Sequence, residues 1–363
     1  MTDPVQEAPV SQRAAYAVRP TVLVDGQASA LVDASLRTCV VSEADGGLGT
    51  LALGLSNWGV TSGSVGPLFD TGGPIRLGTR LKVYFGETSS PRALFEGEVH
   101  AIEARASVGT PPEIVLLAED GLYAARCARR TTVYENQSVG GLVQAIAERH
   151  GLQCDLGELP SGSATWAQLD ESDLAFLRRV LDRNDCDMQV NGNQLQVRPR
   201  GDRDRGTLAL ALYSQLQRVR VIADLAQQVS EVTASGFDVG GGSQYTASSR
   251  GAHLGTGSGT PGSGLLPGSG SRSEHLGPLA CRDLDEAQKL VDAGFDQRAR
   301  RFVRLHGGAE GNPELRVGTR VRISGVGQRF DNTYEVVEAH HRFEQAGGYQ
   351  TDFVAQSAYL AQP

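Results

Sequence analysis

The sequence predicts a mainly β fold with an α+β insertion: two β-barrels related by internal duplication, plus a small α/β module. Three patterns indicate this class. Short runs of alternating apolar residues fill the first third of the chain, helical periodicity then interrupts them, and similar strand patterns return at the end. The 45 glycines and 15 prolines, with only 6% aromatic residues, favour short strands and many turns. A chain of 363 residues has room for two or three domains.

The first barrel is predicted over residues 15–123, after a polar stretch at 1–14 that we expect to be flexible. Its strands alternate apolar and polar residues, as in the segment 51–55, and turn signals such as Asp45-Gly46-Gly47 separate them. This pattern is typical of an antiparallel sheet with one buried face.

The α/β module is predicted over residues 124–200. Ser138 is placed to cap a first helix, and Ser172 is placed to cap a second. In the second helix Leu174 and Leu177 recur at the spacing of one buried face, so we expect both to be core residues.

The rest of the chain is predicted in four parts. Residues 201–238 form a connecting β segment, and 239–273 form a flexible loop, because this stretch of Gly, Ser and Thr buries too little apolar surface to offset its ordering entropy. A helix is expected within 274–301, with Asp283 at the start of a capping box. Residues 302–363 return to a strand pattern and are predicted to form the second barrel.

The duplication is predicted because residues 315–323 repeat residues 75–83. The two segments are identical at four positions and keep the chemical class at the others. In both, apolar residues sit at odd positions and cations at even positions, which places one face of each strand in a core. The even-numbered cations that we expect to face water, a lumen or a neighbouring subunit are Arg76, Arg80, Arg316 and Arg320.

Two weaker matches follow the first in the same order. Glu98–Ala104 resembles Thr333–Ala339, and Glu113–Glu119 resembles Gln350–Gln356 as an alternating closing strand. A single pair of amphipathic strands would look alike by chance. Three pairs in one order favour a duplicated barrel.

Composition excludes several classes of protein. The net charge of −8 makes nucleic acid an improbable main target, because phosphate binding needs a basic surface. No apolar stretch is long enough to span a bilayer, and the first residues lack a signal peptide, so we expect a cytosolic protein. The five cysteines are widely spaced without a CxxC motif, which predicts free thiols and no structural zinc site.

Two pairs of carboxylates are candidates for catalysis. Glu96 and Glu98 share a strand face, and Glu171 lies close to Asp173 in sequence. A glycosidase uses two such groups, one as acid and one as base or nucleophile. The alternative is structural, since charges alternate along a solvated strand and negative charge is favoured at a helix N-terminus. We predict no catalytic residue.

Cofactor and metal sites are also not expected. The chain contains neither GxSxG nor GxxxxGK[ST], so a hydrolase elbow and a P-loop are not indicated. His340 and His341 are adjacent on a predicted strand, so their side chains point to opposite faces and do not readily bind one metal ion. We expect one to be packed inside and the other solvated.

Two parts of the sequence resemble a known family. Residues 168–181, continuing to Cys186-Asp187-Met188, are similar to a recurring stretch of the phage late control D family. This family contains the baseplate hubs of contractile phage tails and the head portion of type VI secretion spike proteins. Residues 311–318, with Ser324–Gly327 and Tyr334–Val336, also resemble it. The family often has an aromatic residue in place of Met188.

This resemblance implies a structural protein and a homotrimer. Each subunit would offer two tube-type barrels, so that a ring of six stacks on a hexameric tail tube and holds a trimeric spike. Because the chain ends at Pro363, directly after the second barrel, we expect the spike to be a separate chain. Other baseplate proteins are further expected partners, and the final location is the baseplate of a phage tail or of an injection particle.

Two other functions remain open at this point. A tail-tip cell-wall hydrolase would place one of the carboxylate pairs in a cleft. A carbohydrate-binding β protein is disfavoured by the presence of only two tryptophans, Trp58 and Trp166.

Overall fold

The computed structural model describes residues 19–61, 63–70, 73–86, 91–238, 242–267, 272–277, 281 and 283–361. The protein is mainly β, and its largest element is a 13-stranded sheet that passes through both barrels. The residues predicted as a flexible N-terminus, 1–14, lie outside the described residues.

The first barrel is an antiparallel β unit with one short helix, α1 (Ala30–Ser35). Its strands are β1 (Thr21–Val24), β2 (Gln27–Ala28), β3 (Leu36–Ala44), β4 (Thr50–Ser56), β5 (Gly59–Thr61), β6 (Ser64–Gly66), β7 (Arg80–Phe85), β8 (Arg92–Ser107) and β9 (Thr110–Glu119). The sheet order is β3-β4-β9-β8-β7-β1. The alternation along β4 places Leu51, Leu53 and Leu55 in one core, where they are at most 2% exposed.

The α/β module packs three helices against two small sheets. Its elements are α2 (Tyr123–Cys127), β10 (Arg129–Gln137), α3 (Val139–Arg149), β11 (Gln153–Leu156), β12 (Ala164–Ser172), α4 (Asp173–Arg183), β13 (Cys186–Asn191) and β14 (Gln194–Pro199). Ser138 and Ser172 cap α3 and α4 as predicted, each accepting a hydrogen bond from a backbone N–H of the first turn. Leu174 and Leu177 are 2% and 0% exposed, as the helical spacing predicted.

The second barrel begins earlier in the chain than predicted. Its first strands are β15 (Thr207–Ala211) and β16 (Leu216–Ala223), which lie in the segment that we predicted as a connection. The chain then leaves the barrel for about 80 residues before it returns. Strands that are close in sequence usually pair with each other. Because this excursion separates β15 and β16 from the later strands, the sequence did not indicate that they belong to the second barrel.

The excursion forms a small sheet covered by a helix. Its elements are β17 (Glu231–Asp238), β18 (Ser243–Ser249), β19 (Thr260–Pro261), β20 (Ser273–His275) and α5 (Leu284–Arg300). The prediction of one flexible loop over 239–273 did not include the strand β18, which pairs with β17 and places Ala247 in the core beneath α5. Residues 239–241 and 268–271 of this segment lie outside the described residues. The helix expected within 274–301 begins at Leu284, where Asp283 accepts a hydrogen bond from the backbone N–H of Glu286 as predicted.

The second barrel is completed by strands at the end of the chain. These are β21 (Val303–Glu310), β22 (Arg320–Ser324), β23 (Thr333–Glu344), β24 (Gly348–Ser357) and β25 (Tyr359–Leu360). The sheet order is β16-β21-β24-β23, and β22 pairs with both β23 and β15. Its core is separate from that of the first barrel, but Phe343 and Tyr349, from β23 and β24, pack in the core of the first.

Candidate interface site

The two barrels match each other in strand register. Arg80 of β7 lies opposite Glu98 of β8, and Arg320 of β22 lies opposite Glu335 of β23. Glu98 is therefore equivalent to Glu335, whereas the sequence comparison aligned it with Thr333. A shift of two residues leaves the alternation of a strand unchanged, so the pattern alone could not reveal this error.

The residues that are identical in the two copies hold the same turn. The N–H of Gly78 donates to the carbonyl of Val99, and the N–H of Gly318 donates to that of Val336, both at 2.8 Å. Both glycines have positive φ angles, +84° and +87°, which glycine adopts without strain. The hydroxyl of the threonine after each glycine accepts from a backbone N–H three residues earlier, at 2.9 and 3.2 Å.

A β-bulge interrupts both long strands at the same place. It lies between Val99 and Ala101 in β8, and between Val336 and Glu338 in β23. Ala101 is therefore equivalent to Glu338, and the second half of β8 is equivalent to the second half of β23. A bulge in the same position indicates that the two strands are copies of one element.

The barrels are joined by a seam in which β3 pairs antiparallel with the second half of β23. The pairs run from Thr38 opposite Glu344 to Ala44 opposite Glu338. Each barrel contributes one edge strand to this ladder, so the two sheets become one. The seam is the candidate functional site, because it fixes how the two barrels sit side by side.

An ion pair is buried beneath the seam. The Arg316 Nη2 atom lies 2.6 Å from Glu43 Oε2, and the backbone N–H of Val317 donates to Glu43 Oε1 at 3.0 Å. Burial raises the pKa of the Glu43 carboxyl, but the guanidinium of Arg316 outweighs this effect and lowers the pKa to about 2. The guanidinium of Arg316 in the second barrel thus binds the carboxylate of Glu43 in the first barrel, largely shielded from water.

His341 is the buried member of the histidine pair that the sequence singled out. It is 0% exposed and its Nδ1 lies 2.7 Å from the Tyr349 hydroxyl, while His340 is half-buried and its Nδ1 lies 2.8 Å from Ser42 Oγ. Burial lowers the pKa of His341 to about 3, so the ring is neutral at neutral pH. The two rings lie on opposite faces of β23, as predicted.

A second buried network holds the α/β module against both barrels. Arg203 contacts Asp45 of the first barrel at 2.6 Å, Asp187 of the module at 2.8 Å, and also Glu335 of the second barrel. Burial raises the pKa of the Asp45 carboxyl, but Arg203 and Arg200 outweigh it and the net shift is downward. A single arginine therefore connects three parts of the chain.

The comparisons with known proteins agree with this architecture. The family model described as phage tail baseplate hub (GPD) matches residues 70–347. The chain belongs to the phage tail baseplate hub family. Comparison with curated protein sequences gives no significant match.

Solved structures of tail proteins share the fold. A 43 kDa tail protein of prophage MuSo2 from Shewanella oneidensis superposes with a TM-score of 0.69 at 11% identity, over 93% of this chain and 97% of that one. A tail protein from Neisseria meningitidis MC58 gives a TM-score of 0.66 at 12% identity, over 94% and 100%. The E. coli c3393 protein, a component of the type VI secretion system, gives 0.56 at 13% identity, over 94% and 79%.

In this hub protein the candidate carboxylate pairs are engaged by cations. Glu171 is held by Arg179. Asp173 is 1% exposed and accepts hydrogen bonds from Arg149 and Gln168, and its Oδ2 lies 2.8 Å from His150 Nε2. Such contacts tie each carboxylate to the surrounding fold.

Glu96 and Glu98 lie on the exposed face of β8. Their partners are Lys82 at 2.9 Å and Arg80 at 3.2 Å, across the ladder to β7. This is the arrangement of a solvated strand surface. Among the described residues no group of three or more His, Cys, Asp or Glu side chains is placed to hold a metal ion, and no helix there is long and apolar enough to cross a membrane.

The four arginines predicted to face outward lie in different surroundings. Arg76 and Arg80 are exposed, and Arg80 contacts Glu98. Arg320 is half-buried and lies 3.6 Å from Asp204. Arg316 points out of its own barrel but is covered by the first, where it meets Glu43.

Sequence reasoning missed the partner in that contact. Glu43 follows Cys39 and Val41 on the core-facing side of β3, a position where an apolar residue is expected. A charged residue on a core face was the available signal that another charge is buried opposite it.

Proposed function

We propose that three copies of this chain form the baseplate hub of a contractile phage tail or of a phage-like injection system. The hub adapts a hexameric tail tube to a trimeric spike. One observation carries the proposal: two barrels in which five strands match in order and register lie side by side in one sheet. Three such chains offer six barrels, so a threefold assembly can meet a sixfold tube.

The partners follow from the same arrangement. The tail tube stacks on one side of the ring and a trimeric spike binds the other side, with further baseplate proteins around them. We place assembly in the bacterial cytoplasm and the finished hub in the baseplate. The role is structural, because the buried charges described above hold parts of the chain together.

The test is a structure of the assembled particle. We expect three copies of the chain in the hub, and in each copy residues 75–83 and 315–323 in equivalent places of two barrels related by about 60° about the threefold axis, as six positions in a ring require. A hub of six copies, or barrels that do not occupy equivalent places in the ring, would overturn the proposal.

A separate assay tests the absence of catalysis. Purified protein is incubated with peptidoglycan, together with the variants Glu98→Gln and Glu171→Gln. We expect no cleavage by any of them. Cleavage by the natural chain that either variant abolishes would instead support a tail-tip hydrolase.

A further inference from the structure

Both edges that form the seam have an equivalent elsewhere in the chain. By register, residues 101–107 of β8 are the counterpart of residues 338–344 of β23. Likewise β16 is the counterpart of β3: Leu36 lies opposite Leu55 with a bulge at the next pair, and Leu216 lies opposite Ala309 with the same bulge. Residues 218–224 are therefore equivalent to residues 38–44.

These two counterparts lack a second neighbour. In the part of the chain that the structure describes, residues 101–107 pair only with β9, and residues 218–223 pair only with β21. Their outer edges present backbone N–H and C=O groups that another strand can bind. The seam shows what kind of strand fits each edge.

The side chains of residues 101–107 of β8 resemble those of the seam but are not covered by a partner in the single chain. In the seam, Ala339 and His341 are 0% exposed and Phe343 is 5% exposed. Their counterparts are a large apolar residue, Ile102, and two small ones, Ala104 and Ala106, and all three are exposed. An alternating apolar face at a free edge is the surface that a partner strand normally buries.

The opposite edge is uncovered in the same way. Cys39 and Val41 of β3 are at most 2% exposed, whereas their counterparts Val219 and Val221 of β16 are only half-buried at the margin of the second core. The turn before β7 gives a third comparison. Leu77 is 63% exposed, but its counterpart Val317 is 1% exposed, and the backbone N–H of Val317 donates to Glu43 of the first barrel.

We infer that residues 101–107 of β8 pair antiparallel with residues 218–224 of a second copy of this chain, in the register of the seam. Ile102, Ala104 and Ala106 then lie opposite Ala223, Val221 and Val219 of the second copy. The contact is head-to-tail, and it closes into a ring of three because each chain fills two of six positions. This inference deepens the proposed function and rests on it.

The charges at this contact are partly complementary. Arg76 is the counterpart of Arg316, and in the ring it approaches Asp224 of the next copy, next to the position equivalent to Glu43. Arg105 faces Arg220, an unfavourable pair, but Arg105 is already held by Glu103 at 2.9 Å. Exposed pairs of this kind are screened by salt, so the apolar side chains carry most of the contact.

Cysteine pairs test the register in whole assembled particles. Glu103→Cys combined with Ile222→Cys places two thiols opposite each other on the outward face of the inferred ladder. Glu103→Cys with Arg218→Cys is the control, because the second thiol is about 13 Å away along the strand, too far for a disulfide. Val40→Cys with Arg342→Cys measures the disulfide yield expected for a correctly paired position, since these residues are opposite each other in the seam.

Crosslinked peptides are identified by mass spectrometry after mild oxidation. We expect the matched pair to link separate chains into dimers and trimers as efficiently as the calibrating pair links one chain internally, and the control to give at least tenfold less. Equal or preferential linkage in the control would overturn the inferred register. If the hub holds three copies but neither cysteine pair links them, the inferred strand pairing is wrong while the proposed function stands. A hub that does not contain three copies would overturn both the strand pairing and the proposed function.

A charge substitution gives an independent readout. Ala104→Arg places a cation on the face that the ring should bury, and Ala145→Arg places the same cation on the exposed side of α3, outside the inferred contact. Because both sites are exposed in the single chain, we expect both proteins to fold with unchanged melting temperature. Incorporation of Ala104→Arg into particles should fall at least tenfold and that of Ala145→Arg should not; equal incorporation would contradict a buried contact.

Discussion

Glu43 and Arg316 form a salt bridge between two barrels, in which the Glu43 side chain is 7% exposed and that of Arg316 is 16% exposed. Removing one partner leaves the other charge buried without compensation, which typically costs 3–5 kcal/mol. We expect Glu43→Ala to lower the free energy of unfolding by about this amount. Urea denaturation followed by circular dichroism measures it.

The control for this variant is Glu98→Ala. Glu98 makes its ion pair with Arg80 on the exposed face of β8, where such pairs contribute about 1 kcal/mol or less. Similar losses in the two variants would show that the seam does not depend on the buried charge.

Protonation of His341 should make the protein less stable in acid. The folded pKa of about 3 lies below the ordinary value of 6.5, so between these values the unfolded chain binds the proton and the folded chain does not. Stability is therefore complete above pH 6.5 and falls as the pH drops towards 3. From pH 7 to pH 5 the loss from this group is about 2 kcal/mol.

Two buried carboxyl groups also make the stability depend on pH in the acid range. Glu43, with its pKa lowered to about 2, contributes stability that is lost only below its ordinary value of 4.5. Burial raises the pKa of Asp120 to about 6, which works in the opposite direction to His341. Comparing the natural chain with His341→Gln isolates the histidine, and parallel stability curves for the two between pH 7 and pH 5 would refute its assignment.

At the scale of the element, helix α4 joins the module's core through one face. Leu177 is 0% exposed, so Leu177→Ala should destabilise the protein by about 2–5 kcal/mol through lost burial and the cavity left behind. The matched control is Leu169→Ala on β12, where the side chain is 65% exposed and the change should stay within about 0.5 kcal/mol. Thermal or urea unfolding distinguishes the two.

Local elements were the part of the fold that the sequence predicted well. The caps at Ser138, Ser172 and Asp283 depend on residues within one turn of each other, so a short window contains all the information. The strand β18 was missed because its small polar residues give no alternation. Only pairing with β17, formed by residues elsewhere in the excursion, makes it a strand.

Long-range pairing was the part that the sequence could not provide. Amphipathic strands present the same pattern to every partner, so nothing in β3 singles out β23 as its neighbour almost 300 residues away. The four identical residues of the repeat did predict the duplication, because one turn geometry requires the same Gly and Thr in both copies. The site therefore was half predicted: the two barrels, but not the seam between them.

At the scale of the whole molecule, Arg203 is the residue that most parts of the chain share. Arg203→Met removes the cation between Asp45, Asp187 and Glu335 and leaves three carboxylates close together. We expect a loss of several kcal/mol, and faster cleavage by protease near the junctions of the module with the barrels.

The exposed arginine Arg250, which contacts Glu231 at 3.4 Å, supplies the control. Arg250→Met should change neither unfolding nor cleavage appreciably, because its guanidinium is surrounded by water. If Arg203→Met behaved like Arg250→Met, the module would be held by its apolar contacts alone.

The two barrels also differ in what is attached to corresponding strands. Between β3 and β4 the chain makes a turn of five residues, 45–49, whereas between the equivalent β16 and β21 it makes the excursion of residues 224–302. A ring of six separate single-barrel proteins would have to repeat any such addition at all six positions. Covalent fusion of two copies removes that constraint in evolution: one copy keeps the short ancestral connection while its sister acquires a new domain, and selection acts on each independently.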